Sequence, residues 1–301
     1  MKRRDFIQNT AAATALVSLG GLSALSFKPE RQQITILHTN DVHSHIEAFG
    51  PEAGRNTNLG GVARRATLVE KIRRENPNTL LLDAGDIFQG TPYFNFYGGE
   101  LEFKLMSMLK YDAATLGNHD FDNGIDGLYA QLPHAEFPFV ISNYDFTNTI
   151  MDGKTDKFRT FTKDGIKIGV FGVGIELQGL VSSKLYKETE YLDPIEIATD
   201  MSRILKDEEN CDLVICLSHL GYKYSSQKIG DIKLAKSTEN IDLIIGGHTH
   251  TFLDKPTVET NKAGNPVLVN QVGCYGVYLG RVDFFFQNGK KSSADGVKLA
   301  V

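Results

Sequence analysis

The stretch Ile34-Thr35-Ile36-Leu37-His38-Thr39-Asn40-Asp41-Val42-His43-Ser44 begins as an apolar run and ends in polar side chains. The run Ile34 to Leu37 predicts a short buried strand. Asp41 and His43 follow soon after it, and their carboxylate and imidazole groups are common ligands of divalent metals. A strand followed at once by ligating groups is the pattern on which the interpretation of the whole chain rests.

The same pattern recurs four more times. Later apolar runs are followed within a few residues by further candidate ligands, namely Asp86, Asn118 with His119, His219, and His248 with His250. Open α/β sheets bind ligands outside the carboxyl ends of their strands, so we expect the five loops to converge. Glycines precede Asp86, Asn118 and His248, where tight loops need unusual backbone geometry. One histidine at a strand end is usually structural, whereas five such loops predict one metal site.

Apolar runs alternate with segments of helical spacing. Strands are predicted at residues 34–37, 80–82, 113–116, 139–141, 168–173, 213–217, 241–245 and 267–269. Apolar side chains at helical spacing predict helices around residues 62–72, 101–109 and 195–204. This alternation predicts an α/β fold. It stops after residue 255, where residues 267–271 and 278–287 are predicted to be consecutive strands of a meander.

The motifs resemble those of the calcineurin-like metallophosphoesterase superfamily, and within it the catalytic domain of 5′-nucleotidases and 2′,3′-cyclic phosphodiesterases. The opening stretch is similar to the first family signature, and residues 111–122, which end Gly-Asn-His-Asp-Phe-Asp, are similar to the second. Residues 83–86, 218–219 and 246–250 supply the other blocks in the expected order. The resemblance covers residues 32–288 and implies a four-layer sandwich in which helices flank two mixed β-sheets.

The resemblance also implies a ligand set for two divalent metal ions. Asp41, His43 and His250 would hold one ion, Asn118, His219 and His248 would hold the other, and Asp86 would bridge them. Oxygen and imidazole ligands without a thiolate suit Zn²⁺, Mn²⁺ or Fe, and the sequence does not choose among these metals. Two ions about 3.5–4 Å apart can hold a hydroxide for in-line attack and clamp phosphoryl oxygens. The expected activity is therefore metal-dependent phosphate-ester hydrolysis of the 5′-nucleotidase-like phosphomonoesterase kind.

His119 is the expected catalytic group outside the ligand set. Beside Asn118, it would stabilise the transition state or protonate the leaving oxygen. A carboxylate must fix the orientation of such a histidine, and both Asp120 and Asp122 are near in sequence. The resemblance favours Asp122, while Asp120 stands where many relatives carry Glu.

Other residues with chemical potential have structural interpretations. His38, His45 and His134 lie outside the ligand set and are expected to be structural or surface residues. Asp83 is either a supporting residue of the site or a buried, hydrogen-bonded carboxylate. Gly169, Gly172 and Gly174 do not complete a nucleotide-binding G-x-G-x-x-G motif, because Leu177 occupies its last position. The chain contains no G-x-S-x-G motif, so Ser218 is not expected to be a hydrolase nucleophile.

The substrate is less well specified than the metal site. Nucleotidases of the kind that the motifs resemble usually carry a second, C-terminal domain that binds the base, and the sequence ends at Val301 before such a domain. We expect either a free-standing domain of broad specificity or one that works with a separately encoded substrate-binding chain. The alternatives are a 2′,3′-cyclic-nucleotide phosphodiesterase and a metal-binding receptor or partner subunit with little activity of its own. The intact pair of His119 and Asp122 argues against the last of these.

Composition and charge restrict the class of partner. The chain has 301 residues, of which 41% are apolar and 23% charged, as expected for a globular protein. Its formal charge is −5, and without residues 1–26 it becomes −7, from 29 basic and 36 acidic side chains. No basic stripe is visible that could follow a nucleic acid duplex, so we expect a small phosphorylated substrate, in particular a nucleotide. A basic patch assembled by folding is left open.

The cysteine content argues against a disulfide framework or a structural zinc site. Cys211, Cys216 and Cys274 are the three cysteines, an odd number, and none has Cys-x-x-Cys spacing. Cys216 lies in an apolar run and is expected in the core, whereas a bridge from Cys211 to Cys274 is left open.

Residues 1–26 have the composition of an export signal. Arg3-Arg4-Asp5-Phe6-Ile7 resembles a twin-arginine motif and precedes a small, apolar stretch. We expect cleavage after Ser26, export to the periplasm and no stable membrane insertion afterwards. An uncleaved membrane anchor is the alternative, although the apolar stretch is short and contains Gly20-Gly21. The expected organisation is thus a signal at 1–26, a catalytic domain at 32–288 and a C-terminal tail at 289–301, of which Ser292 to Val301 is expected to fray.

Overall fold

Most of the apolar runs form strands of two stacked, mixed β-sheets in the computed structural model, which describes residues 31–301. The strands are β1 (Arg31–Thr39), β2 (Thr79–Asp83), β3 (Ala113–Ala114), β4 (Tyr144–Asp145), β5 (Phe158–Lys163), β6 (Ile166–Gly174), β7 (Glu190–Tyr191), β8 (Leu213–His219), β9 (Leu243–Gly246), β10 (Thr257–Thr260), β11 (Pro266–Asn270), β12 (Tyr278–Gln287) and β13 (Lys290–Ala300). One sheet has the order β13-β12-β1-β2-β3 and the other the order β10-β11-β9-β8-β6-β5. A separate ribbon pairs β4 with β7.

Helices lie between the strands. They are α1 (Val62–Glu75), α2 (Pro92–Tyr97), α3 (Glu100–Met108), α4 (Gly124–Gln131), α5 (Ser183–Tyr186), α6 (Pro194–Arg203) and α7 (Asp231–Ser237), and α6 continues into a π-helical turn at Ile204–Glu208. Short 3₁₀ turns occur at Gly54–Asn56, His119–Phe121 and Leu132–His134. The helices predicted around residues 62–72 and 195–204 are confirmed by α1 and α6.

Alternation of apolar side chains along the strands produces three buried layers. In β1, Ile34 and Ile36 belong to the core between the sheets, whereas Leu37 belongs to the core beneath α1 and α3. In β8, Val214 and Cys216 face away from the other sheet and pack with Ala198 and Met201 of α6. Helix, sheet, sheet and helix therefore form four layers, which confirms the predicted sandwich.

Two predictions about strands are wrong. Residues 139–141 form only isolated bridges, because Phe139 pairs with Ala114 whereas Val140 pairs with Asp156, so neither pairing extends into a ladder. The predicted meander also fails, because β11 and β12 belong to different sheets. Between them, residues 271–277 cross from one sheet to the other, with Gly273 and Tyr275 in the positive-φ region.

The prediction for the C-terminal segment is also wrong. Ser292 to Val301 is predicted to fray, but Lys290–Ala300 is an antiparallel partner of β12, with a register that runs from Tyr278 opposite Ala300 to Gln287 opposite Lys290. The side chains of β13 are mostly exposed, so apolar periodicity could not reveal a strand that is held by backbone hydrogen bonds.

The face of α3 differs from its prediction. The helix is predicted from the spacing of Leu101, Leu105 and Leu109, of which only Leu109 is buried. Within α3 the buried apolar side chains are those of Phe103 and Met106. Phe103 packs against Phe88 with ring centroids 4.7 Å apart, which shows how a tertiary contact sets the rotation of the helix.

All three cysteines are buried and free, so Cys211 and Cys274 form no bridge. Cys216 lies in the core as predicted. Among residues 31–301, no helix is long and apolar enough to cross a membrane. The expected export signal at residues 1–26 lies outside the described part of the chain.

Candidate metal centre

The five predicted loops meet at one edge of the two sheets. Strands β1, β2 and β3 run parallel, as do β6, β8 and β9, so the carboxyl ends of the parallel strands in each sheet lie together. Contacts across the two sheets show that these edges coincide: Nε2 of His219 lies 3.9 Å from Oδ1 of Asp41, and Nδ1 of His248 lies 2.8 Å from Oδ1 of Asn118.

One group of candidate ligands contains Asp41, His43 and His250. The Nε2 atoms of His43 and His250 are 3.0 Å apart, and Oδ1 of Asp41 is 3.4 Å from Nε2 of His250. Asp41 is fully buried, whereas the side chain of His250 is 36% exposed. The group is therefore closed by protein on the Asp41 side and open beside His250.

A second group contains Asp86, His219 and His248. Oδ2 of Asp86 lies 3.0 Å from Nε2 of His219 and 3.8 Å from Nε2 of His43, so this carboxylate reaches both groups. Asn118 joins the second group through its contact with His248. The structure thus brings together all seven residues that were predicted as ligands.

The rings of His43 and His219 are oriented so that they can bind a cation. Nδ1 of His43 is 3.2 Å from the carbonyl of Phe88, and Nδ1 of His219 is 2.6 Å from the carbonyl of Ala84. When Nδ1 donates to these carbonyls, the lone pair of each Nε2 points into the site. Nε2 of the fully buried His219 makes no well-aligned hydrogen bond among the described residues, although Oδ2 of Asp86 lies 3.0 Å from it. A divalent cation supplies the missing partner, so the two metals that the family implies fit this set of residues.

Backbone strain is concentrated in the same loops. Five of the seven candidate ligands have positive φ although none is glycine: Asp41 (50°), His43 (51°), Asp86 (54°), His248 (70°) and His250 (50°). Each such residue costs on the order of 1 kcal/mol, and such conformations cluster at functional sites. The surrounding fold maintains them through backbone bonds such as His43 N–H to Asp86 O, at 3.0 Å.

The carboxylates and imidazoles perturb one another. Burial disfavours the charge of Asp86, but the neighbouring His219 and His43 outweigh burial and hold the pKa of Asp86 below its usual range. Burial likewise opposes protonation of His219, yet Asp86 and Asp41 raise its pKa to about 10. The site therefore favours positive charge among its carboxylates, and a metal would displace protons from its imidazoles on binding.

His119 and its neighbouring carboxylates occupy distinct positions. Nδ1 of His119 is 2.7 Å from Oδ2 of Asp122, and the two side chains are 37% and 30% exposed. The ring of His119 lies edge-on to the ring of His43, with centroids 5.2 Å apart. Asp120 points away from His119 and accepts backbone N–H groups of Asp86, Ile87, Phe88 and Gly117 at 2.8–3.1 Å.

Two supporting residues were missed by sequence analysis. Asn40 donates to Oδ2 of Asp41 at 2.7 Å and to the carbonyl of Gly273 at 2.6 Å, so it fixes the first ligand. Gln271 donates to the carbonyl of Gly247 at 2.6 Å and accepts the N–H of Thr251, which braces the loop that carries His248 and His250. The sequence signal that could have identified Gln271 is its position directly after β11, since the candidate ligands also lie at or just after the ends of strands.

The residues that were given structural interpretations lie apart from the ligand atoms. His38 is fully buried, its pKa is lowered by burial to about 3, and its Nε2 lies 2.8 Å from Nδ2 of Asn270. Asp83 is a buried, hydrogen-bonded carboxylate, which accepts from Thr39 at 2.6 Å and from the N–H of Gly85 at 2.8 Å. His134 lies in a 3₁₀ turn, and His45 contacts aromatic rings beside the site.

A large cavity elsewhere is not a candidate for this chemistry. Its volume is about 460 Å³, and it opens near Asp212 and Asp242, which precede β8 and β9 at the opposite end of the sheet. Lysines and asparagines are among the residues that line the cavity, and none of the candidate ligands is.

A four-layer α/β sandwich with two adjoining carboxylate and histidine groups at the strand ends defines a protein of the two-metal phosphoesterase class. The family model described as calcineurin-like phosphoesterase matches residues 34–252, and the chain belongs to this family.

The relatives include nucleotide-cleaving proteins of several organisms. The chain is 34% identical over 300 residues to the trifunctional nucleotide phosphoesterase protein YfkN of Bacillus subtilis (strain 168), a match over 89% of this chain and 19% of that protein. It is 33% identical over 314 residues to human 5′-nucleotidase, over 95% of this chain and 52% of that protein. The solved structure of a 5′-nucleotidase precursor from Thermus thermophilus superimposes with a TM-score of 0.81 at 33% identity, over 90% of this chain and 55% of that one. The chain therefore spans about half, or less, of the length of these relatives.

Proposed function

We propose that this protein is a dinuclear metal-dependent hydrolase of phosphate esters, with 5′-nucleotidase-like phosphomonoesterase activity. The observation that carries the proposal is the arrangement around Asp86, whose carboxylate reaches both ligand groups while the His119–Asp122 pair lies beside them. Two separate metal sites would not need a carboxylate that reaches both, as Asp86 does. A purely structural metal would not need a histidine outside the ligand set that is paired with a carboxylate, as His119 is with Asp122.

The proposed ligand assignment follows the two groups. Asp41, His43 and His250 hold one divalent ion, Asn118, His219 and His248 hold the other, and Asp86 is shared. When bound, two such ions supply Lewis acidity toward phosphoryl oxygens and lower the pKa of a water molecule, so that hydroxide is available near neutral pH. The ligand set suits Zn²⁺, Mn²⁺ or Fe.

The protein's own catalytic step is assigned to His119. Asp122 accepts a hydrogen bond from Nδ1–H of His119, which fixes the orientation of the ring and leaves Nε2 to face the substrate. From this position, His119 stabilises charge on the phosphoryl group or donates a proton to the leaving oxygen, while Asp120 holds the loop that presents Asp86.

Nucleotides are the proposed substrates, since the relatives named above are nucleotidases and a nucleotide phosphoesterase. Those relatives extend beyond the part that this chain matches, so a further substrate-binding domain is proposed as a partner of the catalytic domain. The net charge of −5 is consistent with a small substrate rather than a nucleic acid duplex.

The test combines metal analysis with a substrate panel. Protein reconstituted in turn with Zn²⁺, Mn²⁺ and Fe²⁺ is expected to bind two ions per chain and to hydrolyse AMP. His119→Ala is expected to keep both ions and lose about 10²- to 10⁴-fold in kcat, whereas His134→Ala, a histidine remote from the ligands, keeps full activity. Absence of turnover with every metal would overturn the proposal.

Two other functions predict different results in the same experiment. A 2′,3′-cyclic-nucleotide phosphodiesterase would cleave 2′,3′-cyclic AMP in preference to AMP. A metal-binding partner subunit would bind two ions and show no dependence of its partner binding on His119. The carboxylate-paired His119 favours the enzyme over the partner subunit.

Export is proposed from the sequence of residues 1–26, which resembles a twin-arginine signal, with the periplasm as the destination. A reporter fused after residue 30 is expected in the periplasmic fraction, and Arg3→Lys with Arg4→Lys is expected to retain it inside the cell. Equal export of both fusions would contradict the proposed route.

A further inference from the structure

A row of aromatic rings leads away from the candidate metal centre. Starting at His43, ring centroids are 6.1 Å apart to Tyr275, 4.4 Å from Tyr275 to His45, and 4.9 Å from His45 to Phe49. His45 and Phe49 are stacked at 26°, and Tyr275 also lies 6.0 Å from the ring of His250. We call Tyr275, His45 and Phe49 the aromatic row.

The backbone holds the aromatic row against the site. Tyr275 has a positive φ of 63°, which is unfavourable for a bulky residue, and its N–H donates to the carbonyl of Asp41 at 2.7 Å. Gly273 donates to the carbonyl of Thr251 at 2.9 Å. Tyr275 is therefore bonded directly to the segment that carries a proposed ligand, and its strain is maintained beside the site.

A further aromatic ring, that of Phe252, packs against the same loop. A Cβ atom on Gly273 would be 2.1 Å from the ring of Phe252, so this glycine permits the ring to lie against the loop. The guanidinium of Arg55 lies 5.2 Å from the centroid of Phe252. An aromatic ring with a guanidinium beside it thus lies against the loop that carries Tyr275.

The location suits a substrate group that extends out of the site. Tyr275, His45 and Phe49 are neither buried nor fully exposed, and His250 at the inner end of the row is 36% exposed. The ring of His43 contacts both the row, through Tyr275, and the proposed catalytic residue His119. A leaving group released near His119 therefore has the aromatic row within reach.

We infer that the aromatic row is a binding surface for the leaving group. It selects phosphate esters whose leaving alcohol carries a planar, aromatic group, as a nucleoside carries its base. The inference rests on the proposed phosphohydrolase function and adds a specificity element within this chain. Bases stack on aromatic side chains with little dependence on base identity, so we expect preference for a planar leaving group without strong selection among bases.

The competing interpretation is purely structural, in which the rings only pack residues 44–61 onto the body of the protein. That interpretation predicts a loss of stability upon substitution, with equal effects on every substrate. The two interpretations differ in the ratio of activities toward planar and non-planar leaving groups.

The experiment compares kcat/KM for AMP and for glycerol 2-phosphate in the wild-type protein and in Tyr275→Leu, His45→Ala, Tyr275→Phe and Phe96→Ala. Tyr275→Leu and His45→Ala are each expected to lower the value for AMP about 10-fold, the loss of one stacking contact, with little change for glycerol 2-phosphate. Tyr275→Phe keeps the ring and is expected to keep the wild-type ratio. Phe96 is an 83% exposed aromatic residue on α2, outside the row, and its removal should also leave the ratio unchanged.

The outcomes separate the two proposals. If wild-type protein cleaves neither ester with any metal, the proposed function fails. If it cleaves both and Tyr275→Leu lowers both values by the same factor, or if Phe96→Ala changes the ratio as strongly, the aromatic row is not a leaving-group site. Thermal unfolding of each variant checks that a changed ratio comes from folded protein.

Discussion

At the scale of the residue, Asp120 and Asp122 differ in function because they differ in partners. Asp120 is 1% exposed and accepts four backbone N–H groups, so it holds together the loops of Asp86 and Gly117. Asp122 is partly exposed and accepts from the ring of His119. Spacing alone does not distinguish two aspartates that are separated by one residue. The family resemblance favoured Asp122 as the partner of His119, and the hydrogen bonds of the folded chain show the different partners of the two carboxylates.

The pair of His119 and Asp122 leads to a prediction about pH. The hydrogen bond to Asp122 is the largest contribution that raises the pKa of His119. If protonated His119 is the active form, activity falls as pH rises through this raised pKa. Asp122→Asn removes the cause, lowers the pKa of His119 and should move the falling limb of the kcat profile to lower pH.

The matched control is Asp126→Asn, which removes an exposed carboxylate that pairs with Lys187 at the surface. Its pH profile should be that of the wild-type protein. A uniform loss of kcat in Asp122→Asn, with the falling limb unmoved, would show that Asp122 acts by some means other than the protonation of His119.

At the scale of the element, the glycines of β6 are explained by close packing. A Cβ on Gly172 would lie 2.0 Å from the carbonyl oxygen of Val140, and one on Gly174 would lie 2.4 Å from the ring of Tyr144. These glycines let residues 140–144 cross β6 closely. These glycines therefore make room for neighbouring parts of the protein and not for a nucleotide, in agreement with the incomplete G-x-G-x-x-G motif.

Gly172→Ala is expected to destabilise the fold by about 1–3 kcal/mol, because the methyl group collides with backbone that cannot move independently. Urea unfolding of the metal-loaded protein measures the change. Gly50→Ala is the control, since a Cβ there has no neighbour within 4 Å and should be tolerated. Equal midpoints for the two variants would mean that β6 and residues 140–144 separate more easily than the structure implies.

At the scale of the whole molecule, the proposed metal centre lies where the two stacked sheets meet at the carboxyl ends of their parallel strands. Asp41, His43, Asp86 and Asn118 follow strands of one sheet, whereas His219, His248 and His250 follow strands of the other. Ions bound at this edge would connect loops that are distant in sequence, such as those of Asp41 and His250.

Metal removal should therefore lower the stability of the folded domain as a whole. With free metal at 100 times its Kd, binding contributes about 2.7 kcal/mol, so chelation is expected to lower Tm by about 5–10 °C, and added Mn²⁺ or Zn²⁺ should restore it. Scanning calorimetry measures the effect. His43→Ala should show a smaller metal-dependent shift than His134→Ala, and an unchanged Tm on chelation of wild-type protein would contradict binding at this edge.

Sequence alone determined those features that depend on local order and residue type. The alternation of apolar runs and helical segments predicted an α/β fold, and the strand-end positions of Asp41, Asp86 and His219 predicted one site, because the carboxyl ends of parallel strands in a sheet lie together. The four-layer sandwich was implied by the resemblance of the motifs to a known family. Each of these patterns repeats within a few residues, so it can be recognised without knowledge of distant contacts.

The tertiary structure alone decided the features that depend on partners remote in sequence. Apolar pattern could not show that β13 pairs with β12, since its side chains are exposed and its stability comes from backbone bonds. Nor could it show that β11 and β12 separate into different sheets, or that Asn40 and Gln271 brace the ligand loops. The aromatic row belongs to the same category, because Tyr275 meets His45 only after residues more than two hundred positions apart are folded together.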